Sequence, residues 1–316
     1  MKQIVFIVIT GLFSALLFSC AAGGNIHQAP DSDASMVVIP KGWFTMGSDS
    51  GELNERPEHE VLLDTFRIDL FEVSAVEFAE FLNAASNPDN KYFTHNGNAT
   101  VMGVTYSEGK ETETLINPTK YIPRQGFEKY PANNVSWFGA AAYCRWKGKR
   151  LPTEAEWEKA GKGTDLRTYP WGNSLPDPLK ARYKQKLEES GLQVLVPVDS
   201  LPSGRSPYGV FNMAGNVWEW VADWYRMNYC DFCDPGGSEY NSSAAELLEM
   251  DKPVPGNDAV VNTPPNYNSQ GPRIGSFKVL RGGAWSDGSE PLLRNSLRYW
   301  LDPLERYIDT GFRCAE

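Results

Sequence analysis

The chain has 316 residues, a formal net charge of −10, and 41% hydrophobic and 12% aromatic residues. That size suits one large domain or two small ones. The acidic balance, with only a short K-G-K-R run at 147–150, excludes a nucleic-acid binder, which needs clustered Lys and Arg against phosphate. The 28 glycines and 22 prolines predict many loops and few helices.

Residues 1–19 read as an export signal. Met1-Lys2 gives a positive start, a short apolar run follows, and Leu17–Cys20 (L-F-S-C) resembles a bacterial lipobox. In such signals the cysteine becomes the lipidated N-terminus, so Cys20 is the expected lipidation site and residues 20–35 a flexible tether. A lipid chain anchors without spanning, so the expected partner here is a membrane, reached through that lipid. Ala21, in place of an acid after Cys20, points to the outer membrane of a bacterial envelope. Four cysteines then remain: Cys144, Cys230, Cys233 and Cys314. An even number in an oxidising compartment suggests two disulfides, a close Cys230/Cys233 pair and a far Cys144/Cys314 pair. The C-x-x-C could instead be half a zinc site, although no second C-x-x-C or histidine pair accompanies it.

From residue 36 onward no clean linker divides the chain, and 36–316 reads as one domain. Residues 36–48 predict two short strands around a Pro-Lys-Gly turn, and 61–73 a further strand. Ser74 caps a helix over 75–85 with Glu77 closing a capping box. Val76, Phe78, Phe81 and Leu82 form its apolar stripe. Residues 87–130 show no pattern that predicts regular elements. Ser136 caps a helix running to Trp146, and Thr153 with Glu156 caps another. Residues 231–270 read as a long loop with one short helix near 244–250, and such loops are usually functional or mobile. F-K-V-L-R-G-G-A-W (277–285) is a strand ending in a double glycine.

The most informative stretch is G-V-F-N-M-A-G-N-V-W-E-W-V-A-D-W-Y (209–225), with Trp218, Trp220 and Trp224 among Asn212, Gly215, Asn216, Glu219 and Asp223. So many indoles imply burial. Amide, carboxylate and carbonyl oxygens at one turn are the ligand set that hard cations prefer. A structural turn, in which Asn212 and Glu219 satisfy backbone N–H groups, is the alternative.

Taken in order, these motifs resemble the sulfatase-modifying-factor family, also called the formylglycine-generating-enzyme-like domain. They are I-P-K-G-W-F-T-M-G-S, E-V-S-A-V-E-F-A-E-F, P-A-N-N-V-S-W-F-G-A-A-A-Y-C-R-W, G-K-R-L-P-T-E-A-E-W-E-K-A, Y-P-W-G-N, N-M-A-G-N-V-W-E-W-V-A-D-W-Y, V-L-R-G-G-A-W and G-F-R-C-A. The resemblance implies an α+β fold, a C-type-lectin-like variant with little regular secondary structure, and a Cys144–Cys314 disulfide. It also implies one structural calcium held by Asn212, Gly215, Val217 and Glu219. A second family calcium site falls near Arg182 and Ser190, a cation and a hydroxyl, and is expected to be lost.

The oxidase members hold copper(I) through two cysteines just after the Gly-Gly-Ala-Trp turn, as suits a soft ion. Here Asp287 and Leu292 stand at those positions, so copper is not expected. Asp287, Glu290 and Asp302 could instead offer oxygens to another metal. An iron-dependent branch uses a histidine-rich site, whereas this chain has only His27, His59 and His95. Related lipoproteins act in envelope assemblies, and some variable surface proteins use the fold to capture ligands. The implied function is therefore an envelope-anchored, non-oxidase member that binds a protein or small ligand. Its candidate surface is Trp285, Ser286, Asp287, Arg294, Asn295, Arg298 and Tyr299. The alternative is an oxidase of the formylglycine-generating type or one with altered metal ligands.

Overall fold

A computed structural model describes residues 35–316 except 86, 88, 89, 108, 228, 230–267, 269, 270 and 273. Cys20, Cys230, Cys233, the segments 1–19 and 20–34 and the helix expected near 244–250 all lie outside the described residues.

Among the described residues, four small sheets and three main helices make up the fold. Strands β1 (Met36–Ile39) and β2 (Gly42–Met46) form where expected, but they do not pair with each other. The expected strand over 61–73 is instead two strands, β3 (His59–Leu63) and β4 (Phe66–Asp69), broken at Asp64-Thr65. β1 runs antiparallel to β4 and β2 to β3, so the two segments close as a pair of two-stranded ribbons. The stretch 87–130, which showed no pattern, contains the antiparallel sheet β6-β5-β7: β5 (Val101–Ser107), β6 (Lys110–Glu113) and β7 (Lys120–Pro123). β6 is exposed at every position, so it carries no apolar alternation from which a strand could be read.

The helices follow their caps. In α1 (Ala75–Ala85) Glu77 accepts the Ser74 N–H at 3.0 Å, and the Ser74 hydroxyl donates to the same carboxylate. Its buried stripe is Ala75, Phe78, Ala79, Phe81 and Leu82, whereas Val76 is exposed. The i, i+3, i+4, i+7 rule selects 75, 78, 79 and 82 and leaves residue 76 off that face. α2 (Trp137–Trp146) begins at Ser136, whose hydroxyl accepts the Gly139 N–H. α3 (Glu154–Lys162) has both halves of its capping box: Glu156 N donates to Thr153 Oγ1 at 3.2 Å and Thr153 N to Glu156 Oε2 at 2.8 Å.

The central sheet has the order β10-β9-β8-β11, with β8 (Trp218–Trp224), β9 (Lys278–Arg281), β10 (Tyr299–Leu301) and β11 (Thr310–Phe312). β11 lies parallel to β8, and the other pairs are antiparallel. The main core packs α1 and α2 against this sheet through Phe78, Phe81, Tyr143, Trp220 and Phe312. A second core joins α3 to the first two ribbons around Trp157. The Cys144–Cys314 disulfide, expected from the resemblance, is formed and ties α2 to the end of the chain.

Candidate functional site

The hub at 209–225 is a turn followed by β8. Asn212, Gly215 and Asn216 all have positive φ, at 51°, 82° and 66°. Gly215 is required twice over, because a Cβ there would come within 2.5 Å of the Arg182 carbonyl oxygen. The Asn212 amide nitrogen donates to Glu72 Oε2 at 2.8 Å and to the Val198 carbonyl. That of Asn216 donates to Glu72 Oε1 at 2.8 Å. Glu72, which sequence reasoning passed over, is thus the polar centre of the turn. Burial raises its pKa to about 7 despite Arg313, and Glu219 adds to the rise.

Glu219 lies one step further along and is fully buried. Its Oε1 accepts Arg313 Nη2 at 2.6 Å, and its Oε2 accepts Arg313 Nε at 2.6 Å and the Trp157 indole N–H at 2.8 Å. Arg313 also donates to the Phe211 carbonyl at 2.8 Å. The resemblance put Asn212, Gly215, Val217 and Glu219 around calcium. Here the only carboxylate of that set is engaged by a guanidinium on both oxygens, and the Asn212 amide nitrogen is held by Glu72. As arranged, the four residues do not fit a hard dication, because the cation that balances Glu219 is Arg313. At the position of the second family site, Arg182 Nε donates to the Val194 carbonyl at 2.7 Å and its Nη2 to that of Gln193. A side-chain cation therefore meets those carbonyls directly.

The stretch after β9 divides into a buried part and an exposed part. Gly282 and Gly283 have φ of 95° and 75°. At Gly283 a Cβ would meet Leu292 O at 2.8 Å and Asp287 Oδ2 at 3.0 Å, so only glycine allows the turn to close. Trp285 and Asn295 are buried away from the cleft over the central sheet, which corrects their placement on a ligand surface, whereas Arg298 is buried but borders that cleft. Trp285 packs with Val194, Leu195 and Val217. Asn295 supports the turn after α3, its N–H donating to Thr168 O at 2.9 Å. Arg298 makes a two-pronged contact with Glu154, Nε to Oε1 at 2.6 Å and Nη2 to Oε2 at 2.9 Å, and donates to the Asn54 carbonyl at 2.8 Å. Arg294 pairs with the buried Glu55. Long polar side chains usually lie outside; Arg298 is inside because Glu154 balances its charge.

Ser286, Asp287 and Tyr299 remain accessible, and Asp287 and Tyr299 border one cleft of about 700 Å³ over the central sheet. Its walls include Trp218, Tyr225, Trp300 and Tyr307, with Leu292, Asn54 and Asp309. Asp287 and Leu292, which the resemblance sets against the oxidases' copper-binding cysteines, thus line the same cleft. Asp287 Oδ2 accepts the Ala284 N–H at 2.7 Å, fixing the carboxylate against the Gly-Gly-Ala turn. Burial raises its pKa to about 6, the Ala284 N–H opposes that, and the neighbouring Asp309 adds to it. Asp309 Oδ2 accepts the Ser286 hydroxyl at 2.6 Å.

Glu290 instead pairs with Lys184, and the exposed Asp302 caps its own turn through the Leu304 N–H. Among the described residues no group of three His, Cys, Asp or Glu is placed to hold a metal, so Asp287, Glu290 and Asp302 do not gather into one. Sequence reasoning missed Asn54, Tyr307 and Asp309 as cleft residues. Only Asp309 carried a signal, its position next to the T-G-F-R-C motif.

Comparison with known proteins agrees with this geometry. The model of the "Sulfatase-modifying factor enzyme 1-like domain" matches residues 23–316. The chain is 30% identical over 315 residues to the formylglycine-generating enzyme of Thermomonospora curvata, covering 89% of this chain and 92% of that protein. It is 33% identical over 283 residues to the serine/threonine-protein kinase pkn1 of Chlamydia caviae, where it covers 89% of this chain but spans only 38% of the relative's length. Among solved structures, PvdO from Pseudomonas aeruginosa superposes with a TM-score of 0.58 at 24% identity, covering 89% of this chain and 93% of that one, a likeness of fold. The α+β, C-type-lectin-like architecture is therefore shared, and the chain belongs to the sulfatase-modifying factor enzyme 1-like domain family.

Proposed function

We propose that this chain is a binding member of its family, and that the cleft over the central sheet is where it binds. One observation carries the reading. The two positions at which the oxidase members present thiolates to copper(I) are a carboxylate and an alkyl group, Asp287 and Leu292, on the wall of an aromatic cleft. A carboxylate is a hard ligand that does not replace a thiolate for Cu(I), and leucine is no ligand at all. What the cleft does offer is aromatic surface with a few oriented polar groups, the composition of a recognition site.

The competing reading is a formylglycine-generating oxidase, or an oxidase with other metal ligands. To separate the two, the purified domain is incubated with Cu(I) and a C-x-P-x-R peptide under oxygen. The expected mass spectrum shows unmodified cysteine. Conversion to formylglycine would sink the binding-only reading.

The L-F-S-C end of the signal supports anchoring of this domain to a bacterial envelope membrane through Cys20. Labelling with a fatty-acid analogue should modify the wild type and spare Cys20→Ser. Equal labelling of both would reject the anchor.

A further inference from the structure

The carboxylates that line the cleft offer it acceptors. Asp287 and Asp309 both line it, and neither carboxylate is joined to a basic side chain by the contacts that hold it in place: one accepts a backbone N–H and the other a hydroxyl. Asn54 adds a third acceptor. It is 8% exposed and lines the cleft, its amide nitrogen donates to the Tyr225 hydroxyl at 3.1 Å and to the Arg298 carbonyl, and its side-chain oxygen has no partner. An unpaired buried carbonyl oxygen costs stability until a donor reaches it. Among the described residues Arg298 is the one basic residue on the wall, and Glu154 already balances it. The cleft therefore presents uncompensated negative charge between aromatic faces.

Rings and acids together attract a cation that can also donate hydrogen bonds. Lysine ammonium and arginine guanidinium groups have both properties, and an anion has neither. The rim points to the kind of molecule that carries the cation. Leu53, Met227, Tyr299 and Tyr307 are exposed apolar side chains along the cleft's border, so apolar contact continues beyond the space a free amine would fill.

We infer that the cleft captures a polypeptide segment of a partner protein by seating a lysine or arginine side chain against Asp287 and Asp309, with apolar neighbours of that residue lying on the rim. This rests on the reading of the cleft as the binding site. Asp287 thus takes up a new role at a position the oxidases use for a metal ligand.

The test is selection from a library of immobilised random heptapeptides, using the whole exported domain. Three variants run beside the wild type: Asp287→Asn, Asp309→Asn and Leu292→Trp. Each asparagine keeps an oxygen for the Ala284 N–H or the Ser286 hydroxyl, so the folds should persist, and thermal melts check this. The expected result is enrichment of Lys or Arg at one position beside apolar residues. Selected peptides should bind each asparagine variant about tenfold more weakly, and Leu292→Trp, which fills the cleft, should not bind them.

Peptides retained equally by Leu292→Trp would overturn the reading of the cleft itself. Peptides lost in Leu292→Trp but showing no basic preference would leave that reading standing and overturn this inference alone. Retention of no peptide, or displacement of selected peptides by 1,5-diaminopentane at matched concentration, would also overturn it, the latter by showing that the cleft takes free amines.

Discussion

Replacing Arg313 with methionine should be the most damaging single change in the buried polar network. Arg313 and Glu219 are both fully buried, and among the described residues Arg313 is the only cation that contacts Glu219. Methionine fills much of the volume but leaves Glu219 with the Trp157 N–H alone, while Glu72 remains a second buried acid close by. Breaking a buried pair from one side costs about 3–5 kcal/mol, and the absence of a second cation puts this case at the upper end. Arg281→Met is the internal control. Its partners Glu154 and Glu158 keep Arg298 and Lys162 respectively, so its cost should be smaller, about 2–3 kcal/mol. Urea unfolding supplies the assay. Without its guanidinium Glu219 is a buried carboxylate with no charge to balance it. Arg313→Met/Glu219→Gln removes that charge and should recover much of the deficit. A cost below about 1 kcal/mol, or a deficit larger in Arg281→Met, would refute the assignment of Arg313 as the balancing charge.

Proton binding should also set the stability of the wild type. Glu72 is raised to about 7, and Asp223 and Asp287 to about 6, mainly by burial. Each binds its proton more tightly folded than unfolded, so melting temperature should fall as pH rises from about 5 to about 8; a rise over that window would contradict these environments. Cys144→Ser with Cys314→Ser opens a bridge across 170 residues and should cost about 3–5 kcal/mol by urea titration, with dithiothreitol having a similar effect on the wild type. Arg182→Ala strips donors from the Gln193 and Val194 carbonyls. It should cost about 1–3 kcal/mol and speed proteolysis near 187–195 relative to the wild type. Extended dialysis against EDTA should leave the melting temperature within about 2 °C, since Arg313 balances Glu219; a larger fall would restore calcium to the hub.

Local features were legible because their partners are a few residues apart. Thr153 and Glu156 read as a capping box and form one. The indoles of 218–224 read as buried, and Trp220 is fully so. Sequence pattern could not reach pairs set by the fold. Glu154 meets Arg281 across 127 residues and Arg298 across 144, and Glu219 meets Arg313 across 94. Without those pairings Arg298 reads as a surface residue, because an arginine without a visible partner belongs in water. The acids of α3 mislead in the same way. Glu154 and Glu158 look like the solvated face of a helix, yet both are buried on Arg281. The candidate site was half legible. The Gly-Gly-Ala-Trp turn located it and Asp287 marked it, but its other walls come from residues 53–54 and 307–310.

The separation of these two regions explains how the family position could change its chemistry. The buried charges fall into two groups on either side of Trp157. Its indole N–H donates to Glu219 on one side, and the Arg281 guanidinium lies 5.3 Å from its ring on the other. Neither Glu219 nor Arg313 lines the cleft, and Arg298 contributes only a guanidinium already held by Glu154. Side chains at 287 and 292 can therefore alter the cleft without unbalancing the interior, provided residue 287 still accepts the Ala284 N–H that closes the turn. Carboxylate oxygen does this well. Asp287 accordingly has two roles, one holding the turn shape and one facing the cleft. Asp287→Ala should lose both, lowering stability by about 1–2 kcal/mol as well as weakening capture of basic peptides, whereas Asp287→Asn should lose only the second, with capture about tenfold weaker. Equal stability of the alanine and asparagine variants would show that the Ala284 contact does not hold the turn.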